Sequence, residues 1–375
     1  MKTLFKNARI LKMNDEPIFI SNLVVEGERI VYIGEDYSKF EPFDRVIECS
    51  QNLIMPGFKN AHAHNAMTLL RSYADDLPLK EWLFDKVFPI ENKLTPEDVY
   101  ECTKLGILEC LSSGITANFD YYFHYDGVFK ATKEMGIRTL VNLSPSLPEN
   151  ELDEIYKNHC DKTKLVTACF GLHAEYTLQG DWLETIHRLV HKHKAPFYTH
   201  CSETKREVME CIERRGITPL KFFFEEGMFD YGGGIFHGVC LTDDDIEIIK
   251  NNNLTVVTNP GSNTKLASGI CDTVKLTKAG INVAIGTDGP SSNNCLDMFR
   301  EMFLVTGLAK LFNEDPSAMD AYQVLKMATV NGAKAMGLVD CDILEVGKYA
   351  DIIMIDLNKP NMRPIHDIQK LICMP

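Results

Sequence analysis

No apolar run in this chain approaches the roughly 20 residues that a membrane span requires. The N-terminal segment Met1 to Ile10 likewise lacks the uninterrupted apolar stretch of a secretion signal, so a cytoplasmic location is expected. Positive charge is short as well. Lys and Arg number 39 against 53 Asp and Glu, a net charge of -14 with a pI of about 5.3, which leaves no electrostatic footprint for nucleic acid or an anionic membrane. That acidity asks for nothing beyond solubility. Twelve cysteines are scattered without the spacings of a disulfide framework, so buried reduced thiols are expected. No Gly-rich loop follows the first apolar strand of the middle region, which places a doubly wound nucleotide-binding sheet second among the candidate folds.

What is present is an ordinary globular composition, 45% hydrophobic and 25% charged over 375 residues. That length suits two or three average domains, or one large barrel with an accessory domain. The first 50 or so residues read as short strands over 3–11, 18–26, 29–34 and 45–49, with Glu26-Gly27-Glu28 as a hairpin turn. The stretches 342–351 and 352–356 also read as strands, so the two termini are expected to build one small β domain. Between them, apolar runs alternate with longer amphipathic segments, the pattern of a parallel βα sheet. The runs are 53–61, 114–121, 138–144, 165–173, 196–200, 233–239, 253–259 and 281–288. Eight such units have the size of a (β/α)8 TIM-like barrel. The expected organisation is therefore a β-sandwich part over 1–52, a barrel over 53–341, and a curtailed second sandwich part over 342–375, whose open edge another subunit could cover.

Chemistry-bearing residues gather at one place in this pattern. His62 and His64 close the first run, His173 the fourth, His200 the fifth, His237 the sixth and Asp288 the eighth. In an extended segment a spacing of two puts His62 and His64 on one face. In a barrel, the C-terminal strand ends converge on one mouth, where such folds keep their active sites. Three imidazoles and a carboxylate make a site for one divalent ion with a position left for water, and such an ion brings the pKa of water towards about 7. Glu203, three residues after His200, is placed to carry protons without binding metal. The fourth run ends Leu172-His173-Ala174-Glu175 without the lysine that a two-metal site of this kind uses, so one ion is expected. His187, His191 and His193 belong to a charged helical face over 182–194, and Cys201, Cys240 and Cys295 read as small fillers.

Further motifs accompany these residues: Pro56-Gly57 through His62-Ala63-His64, Met67-Thr68-Leu69-Leu70-Arg71, Ala74-Asp75-Asp76-Leu77, Trp82-Leu83 and Pro89-Ile90-Glu91. Asn259-Pro260, Ser262-Asn263, Gly286-Thr287-Asp288-Gly289 and Ser291-Ser292-Asn293-Asn294 follow. Over nearly its whole length the chain resembles the amidohydrolase superfamily, in the branch of methylthioadenosine/S-adenosylhomocysteine deaminases with chlorohydrolases as near relatives. The resemblance implies His62, His64, His200 and Asp288 as ligands of Zn2+ by default, with Fe2+ or Mn2+ as substitutes. It implies Glu203, His237 and Asp288 as catalytic, His173 as a contact to the substrate ring, Glu91 as the ribose hydroxyl partner, and Trp82 on the nucleoside-binding side.

The function implied is hydrolytic deamination of an adenine-type nucleoside such as 5'-methylthioadenosine or adenosine, with release of ammonia. Deamination of guanine or cytosine, dechlorination of a triazine, and a catalytically silent metal-binding scaffold are the alternatives. The nucleoside-processing relatives are expected to carry a substrate-contacting arginine after the third barrel strand. Here 139–144 and the following residues to 154 contain none, which favours uncharged 5' groups. A small-molecule substrate is the expected partner, without nucleic acid or membrane, and a homodimer is the base-rate assembly.

Overall fold

A computed structural model describes residues 1–374. Five strands come first: β1 (Lys2–Ile10), β2 (Phe19–Glu26), β3 (Arg29–Gly34), β4 (Arg45–Glu48) and β5 (Asn52–Pro56). Eight follow in the alternating region: β6 (Phe58–Ala63), β7 (Ile115–Asp120), β8 (Arg138–Leu143), β9 (Val166–Leu172), β10 (Phe197–Cys201), β11 (Gly233–His237), β12 (Thr255–Thr258) and β13 (Asn282–Ile285). A last strand is β14 (Ile352–Asp356).

Strands β6 to β13 lie side by side in sequence order, and every pairing between neighbours is parallel. The sheet closes between its ends through a parallel bridge of Ala63 with Asp288, where the Asp288 N–H donates to the His62 carbonyl at 3.0 Å. This is the expected (β/α)8 barrel. Helices cover it where the sequence starts them. The helix Pro96–Ser112 is capped by Thr95, whose side chain and that of Asp98 satisfy each other's backbone N–H, and Thr242 with Asp245 repeats the device for Asp243–Asn251. Inside the barrel Phe119, Tyr198 and Phe236 form an aromatic plug, with Phe119 edge-on to Phe236 at 5.3 Å between centroids.

The terminal segments build one six-stranded mixed sheet in the order β14-β5-β1-β2-β3, with β4 also beside β1. Strand β1 serves both halves: Thr3 to Lys6 pair with β4, and Arg9 and Ile10 with β5. The register breaks between Phe5 and Ala8, where Asn7 takes a left-handed φ of 57°, a conformation that Asn tolerates.

Two expectations are corrected. The run 53–61 is two strands: β5 belongs to the small sheet, where it pairs with β14, and only β6 enters the barrel. The expected boundary at 53 thus falls inside β5. Between the strands Gly57 packs so tightly that a Cβ there would lie 2.2 Å from Thr116 Cγ2, so the chain can cross from one sheet to the other only with glycine. At the other end, 342–351 forms turns and one bridge of Tyr349 to Arg29, so β14 alone joins the sheet. The last helix, Ile368–Cys373, packs on the barrel layer instead, with the Cys373 thiol donating to the Ala321 carbonyl at 3.3 Å. Among the described residues no helix is long and apolar enough to cross a membrane.

Candidate active site

The mouth of the barrel brings together what the sequence spaced over more than two hundred residues. His62 and His200 are strand residues, His64 and His173 each stand one residue beyond a strand, and His237 ends β11. One ligand atom from each of His62, His64, His200 and Asp288 lies within 4.8 Å of every other, and all four residues are buried. Asp288 Oδ1 is 3.2 Å from Nε2 of both His62 and His64, and His64 Nε2 is 3.2 Å from His200 Nε2.

The surrounding backbone determines which imidazole nitrogens are free. His64 Nδ1 donates to the Tyr121 carbonyl at 2.6 Å, and His200 Nδ1 to the His173 carbonyl at 2.8 Å. Each bond leaves an Nε2 lone pair aimed at the common point. His62 stacks on Phe236 at 3.8 Å between centroids, and neither of its nitrogens has a hydrogen-bond partner despite full burial. An orphaned imidazole at the centre of such a donor set fits one divalent ion, and no Lys is among the described residues that line the adjoining cavity.

Around that point stand the proton-handling groups. His237 Nδ1 donates to Asn263 Oδ1 at 2.8 Å, so its Nε2 faces Glu203 Oε2 at 3.8 Å and Asp288 Oδ2 at 3.9 Å. The Ser268 hydroxyl donates to Glu203 Oε1 at 3.1 Å, and that of Ser292 to Asp288 Oδ2 at 2.8 Å. Burial raises the Glu203 carboxyl above the usual carboxylate range, against the pull of His237. Asp288 is shifted the other way: burial works to raise it, but its contacts with His62 and His64 hold it well below that range. Two acids side by side are thus shifted in opposite directions. The backbone here is strained: Ser202, His237 and Asp288 have φ of 54°, 74° and 59°. Each such residue costs on the order of 1–3 kcal/mol and persists only where its surroundings over-determine it.

A cavity of about 750 Å³ opens from His64, His200 and Asp288. His173, Glu91 and Trp82 all line it. His173 packs against His200 at 4.6 Å between centroids and pairs with Thr177 Oγ1 at 3.2 Å, and Glu91 Oε1 accepts from the Tyr122 hydroxyl at 2.8 Å. Phe84, Phe88, Leu147, Tyr176 and Trp182 add apolar surface to its lining, and no Lys or Arg is among the described residues that line the cavity. Trp182 had been read only as part of a charged helix. Of that helix, His191 and His193 do pair with acids outside the site, Asp230 at 3.2 Å and Asp153 at 2.6 Å. Cys201 is fully buried, whereas Cys240 and Cys295 are only half-buried.

Asn263, Ser268, Ser292 and Tyr122 are contributors that sequence reasoning did not assign. Asn263 and Ser292 lay inside motifs already singled out, so their signal was present without a role. Ser268 and Tyr122 had none.

The pattern of the Amidohydrolase family matches residues 53–373. The chain belongs to the amidohydrolase family. This amidohydrolase is 41% identical to a 5-methylthioadenosine/S-adenosylhomocysteine deaminase of Thermoanaerobacter pseudethanolicus, an alignment that covers 98% of the chain and 88% of that protein. A second relative of the same description, from Thermococcus kodakarensis, is 39% identical over 98% of the chain and 88% of its own length. In structure the amidohydrolase resembles an adenosine deaminase from Xanthomonas campestris with bound zinc: TM-score 0.91, 32% identity, 99% of this chain and 88% of that one. An atrazine chlorohydrolase of Arthrobacter aurescens shares the fold, with a TM-score of 0.88 at 21% identity over 99% of this chain and 91% of that one.

Proposed function

We propose that this amidohydrolase is a metal-dependent hydrolytic deaminase of adenine-type nucleosides, releasing ammonia from the aminated ring carbon. The observation that carries the reading is the convergence of His62, His64, His200 and Asp288 on one point with Glu203 and His237 beside it. In the reading, those four residues hold one divalent ion, zinc by default as in the related adenosine deaminase. Such an ion supplies Lewis-acid activation of the attacking water.

The residues of the chain do the rest. Asp288 Oδ2, held by Ser292, accepts the proton of the attacking water. Glu203, whose hold on a proton burial strengthens, delivers a proton to the ring nitrogen next to the carbon under attack. His237, oriented by Asn263, places its Nε2 beside both carboxylates and steadies the charge that develops on the attacking oxygen. Proton return to the amine then lets ammonia leave and the carbonyl form. His173 contacts the ring, Trp82 adds flat apolar surface, and Glu91, oriented by Tyr122, accepts both hydroxyls of a ribose cis-diol.

The apolar part of the lining, with no Lys or Arg among the lining residues described, decides between 5' groups. A buried carboxylate without a partner costs more than a neutral group would, so 5'-methylthioadenosine and adenosine are preferred over S-adenosylhomocysteine. The test is ammonia release and kcat/KM on one zinc-loaded preparation. The substrates are adenosine, 5'-methylthioadenosine, S-adenosylhomocysteine, guanine, cytosine and a chlorotriazine. The reading expects the first two to lead. Turnover of a free base or the triazine alone would overturn it, and S-adenosylhomocysteine in first place would overturn the 5' preference.

A further inference from the structure

One fully buried carboxylate is not used by the chemistry above, and it sits outside the barrel mouth. Glu301 lies on the helix Met298–Phe312, which follows the eighth strand, and is wholly inaccessible. Its two oxygens reach two different loops. Oε2 accepts the Gly261 N–H at 2.8 Å, and Oε1 accepts Asn293 Nδ2 at 2.8 Å.

Each loop carries part of the site. Gly261 is two residues before Asn263, whose Oδ1 orients His237. Asn293 Nδ2 donates also to the Thr287 carbonyl at 2.7 Å, one residue before Asp288. The amide of Asn293 cannot turn over, because Arg300 donates to its Oδ1 at 2.8 Å. Thr287 is pinned from the other side by Asn60, which accepts its N–H at 2.9 Å and donates to its hydroxyl at 2.8 Å. Both His237 and Asp288 hold left-handed backbone, so each needs such outside support. Position 261 is shaped for the contact: a Cβ there would lie 2.4 Å from Glu301 Oε1 and 2.5 Å from Asn293 Nδ2.

We propose that Glu301 is a positioning residue that sets His237 and Asp288 together, through Gly261 on one arm and Asn293 on the other. It touches neither substrate nor the reacting atoms. The ionised form, populated above the pKa of about 7 to which burial raises this carboxyl, suits both partners because both are N–H donors. Glutamine would match one of them and turn an N–H against the other. The inference rests on the deaminase reading for its kinetic readout, while zinc retention tests the Asp288 arm without it.

The experiment compares zinc-loaded wild type, Glu301→Gln, Asn263→Ala and the double variant. Glu301→Gln is expected to lose about tenfold or more in kcat with KM within about threefold, since Glu91, Trp82 and His173 stand on other loops. It should also surrender zinc to a chromogenic chelator about threefold faster or more, as one ligand loses its support. Because one arm runs through Asn263, the losses in kcat of the two single variants should not multiply in the double variant. A Glu301→Gln protein of lowered melting temperature but unchanged kcat and zinc retention would overturn the proposal, because a merely structural role predicts that outcome. Fully multiplicative losses would overturn the Asn263 arm. If Glu301→Gln does not fold, Glu301→Asp keeps the charge but draws it back by one methylene, and full kcat in that variant overturns the proposal. If wild type releases no ammonia from any of the substrates, the deaminase reading fails, whereas unaltered zinc release in the variants alone counts against the brace.

Discussion

Replacing Glu203 by glutamine separates proton transfer from everything else the site does. The side chain is buried, its Oε1 accepts from Ser268 at 3.1 Å, and its Oε2 faces His237 Nε2 at 3.8 Å. Glutamine keeps an acceptor for Ser268. Its amide takes the place of the carboxylate opposite His237 Nε2, and at 3.8 Å no direct hydrogen bond is broken there. No buried group is orphaned by the change, so stability should move by less than about 1 kcal/mol. Nor is a metal donor removed, since Glu203 is not among the four converging residues. What disappears is the proton. A positioned general acid is worth about 10²–10⁴ in rate, and at 1.36 kcal/mol per tenfold this is about 2.7–5.4 kcal/mol of barrier. The assay is steady-state ammonia release from adenosine and 5'-methylthioadenosine, with metal stoichiometry and melting temperature on the same samples. The expected result is a fall in kcat of at least about a hundredfold with metal and fold retained. Turnover within about threefold of wild type would remove Glu203 from the chemistry, and loss of metal would make it a ligand.

Metal analysis of His200→Ala should show most of the bound ion gone, from about one per chain, and full occupancy would show that β10 does not contribute a ligand. Glu91→Ala strips the Tyr122 hydroxyl of its partner and should reduce kcat/KM for adenosine by about 10–100-fold while leaving free adenine little changed. An equal loss on both would place Glu91 away from the ribose. Burial raises Glu301 to about 7 from 4.5, against the hydrogen bonds of Asn293 and Gly261 and the nearby charge of Arg300, with Asp288 acting in the same direction as burial. The folded state therefore keeps this proton over a window in which the unfolded chain has lost it, so stability falls as pH rises from about 4.5 to about 7. Denaturant unfolding of wild type against Glu301→Gln should show the wild type losing ground across that window, and parallel curves would refute the shift.

Much of the architecture is local information, and local information is legible. The strands β1 to β4 and the eight barrel strands each follow a short apolar run, and the capped helices start at Thr95 and Thr242 because those side chains satisfy N–H groups three residues away. His62, His64, His173, His200, His237 and Asp288 were recognisable because each sits at the end of such a run, and a closed parallel barrel collects strand ends at one mouth.

Other features had no local trace. Every residue of β6 and four of the five in β5 are buried, so burial does not mark where one strand stops and the other begins; the Pro56-Gly57 pair is the local sign of a break, and only the crowding of Thr116 onto Gly57 shows that it parts two sheets. Leu344 looks like a strand residue because it packs into the core of the small sheet, and Ile343 because it packs on the main core, yet neither joins a strand ladder. The bonds that tune the site join His237 to Asn263, Glu203 to Ser268, Gly261 to Glu301 and Asn60 to Thr287, across 26, 65, 40 and 227 residues. Periodicity states which face of a segment is buried, and composition states which chemistry is to hand. Which buried side chain meets which partner is decided only when the barrel strands line up side by side, and for Asn60 and Thr287 only when the eighth strand closes on the first.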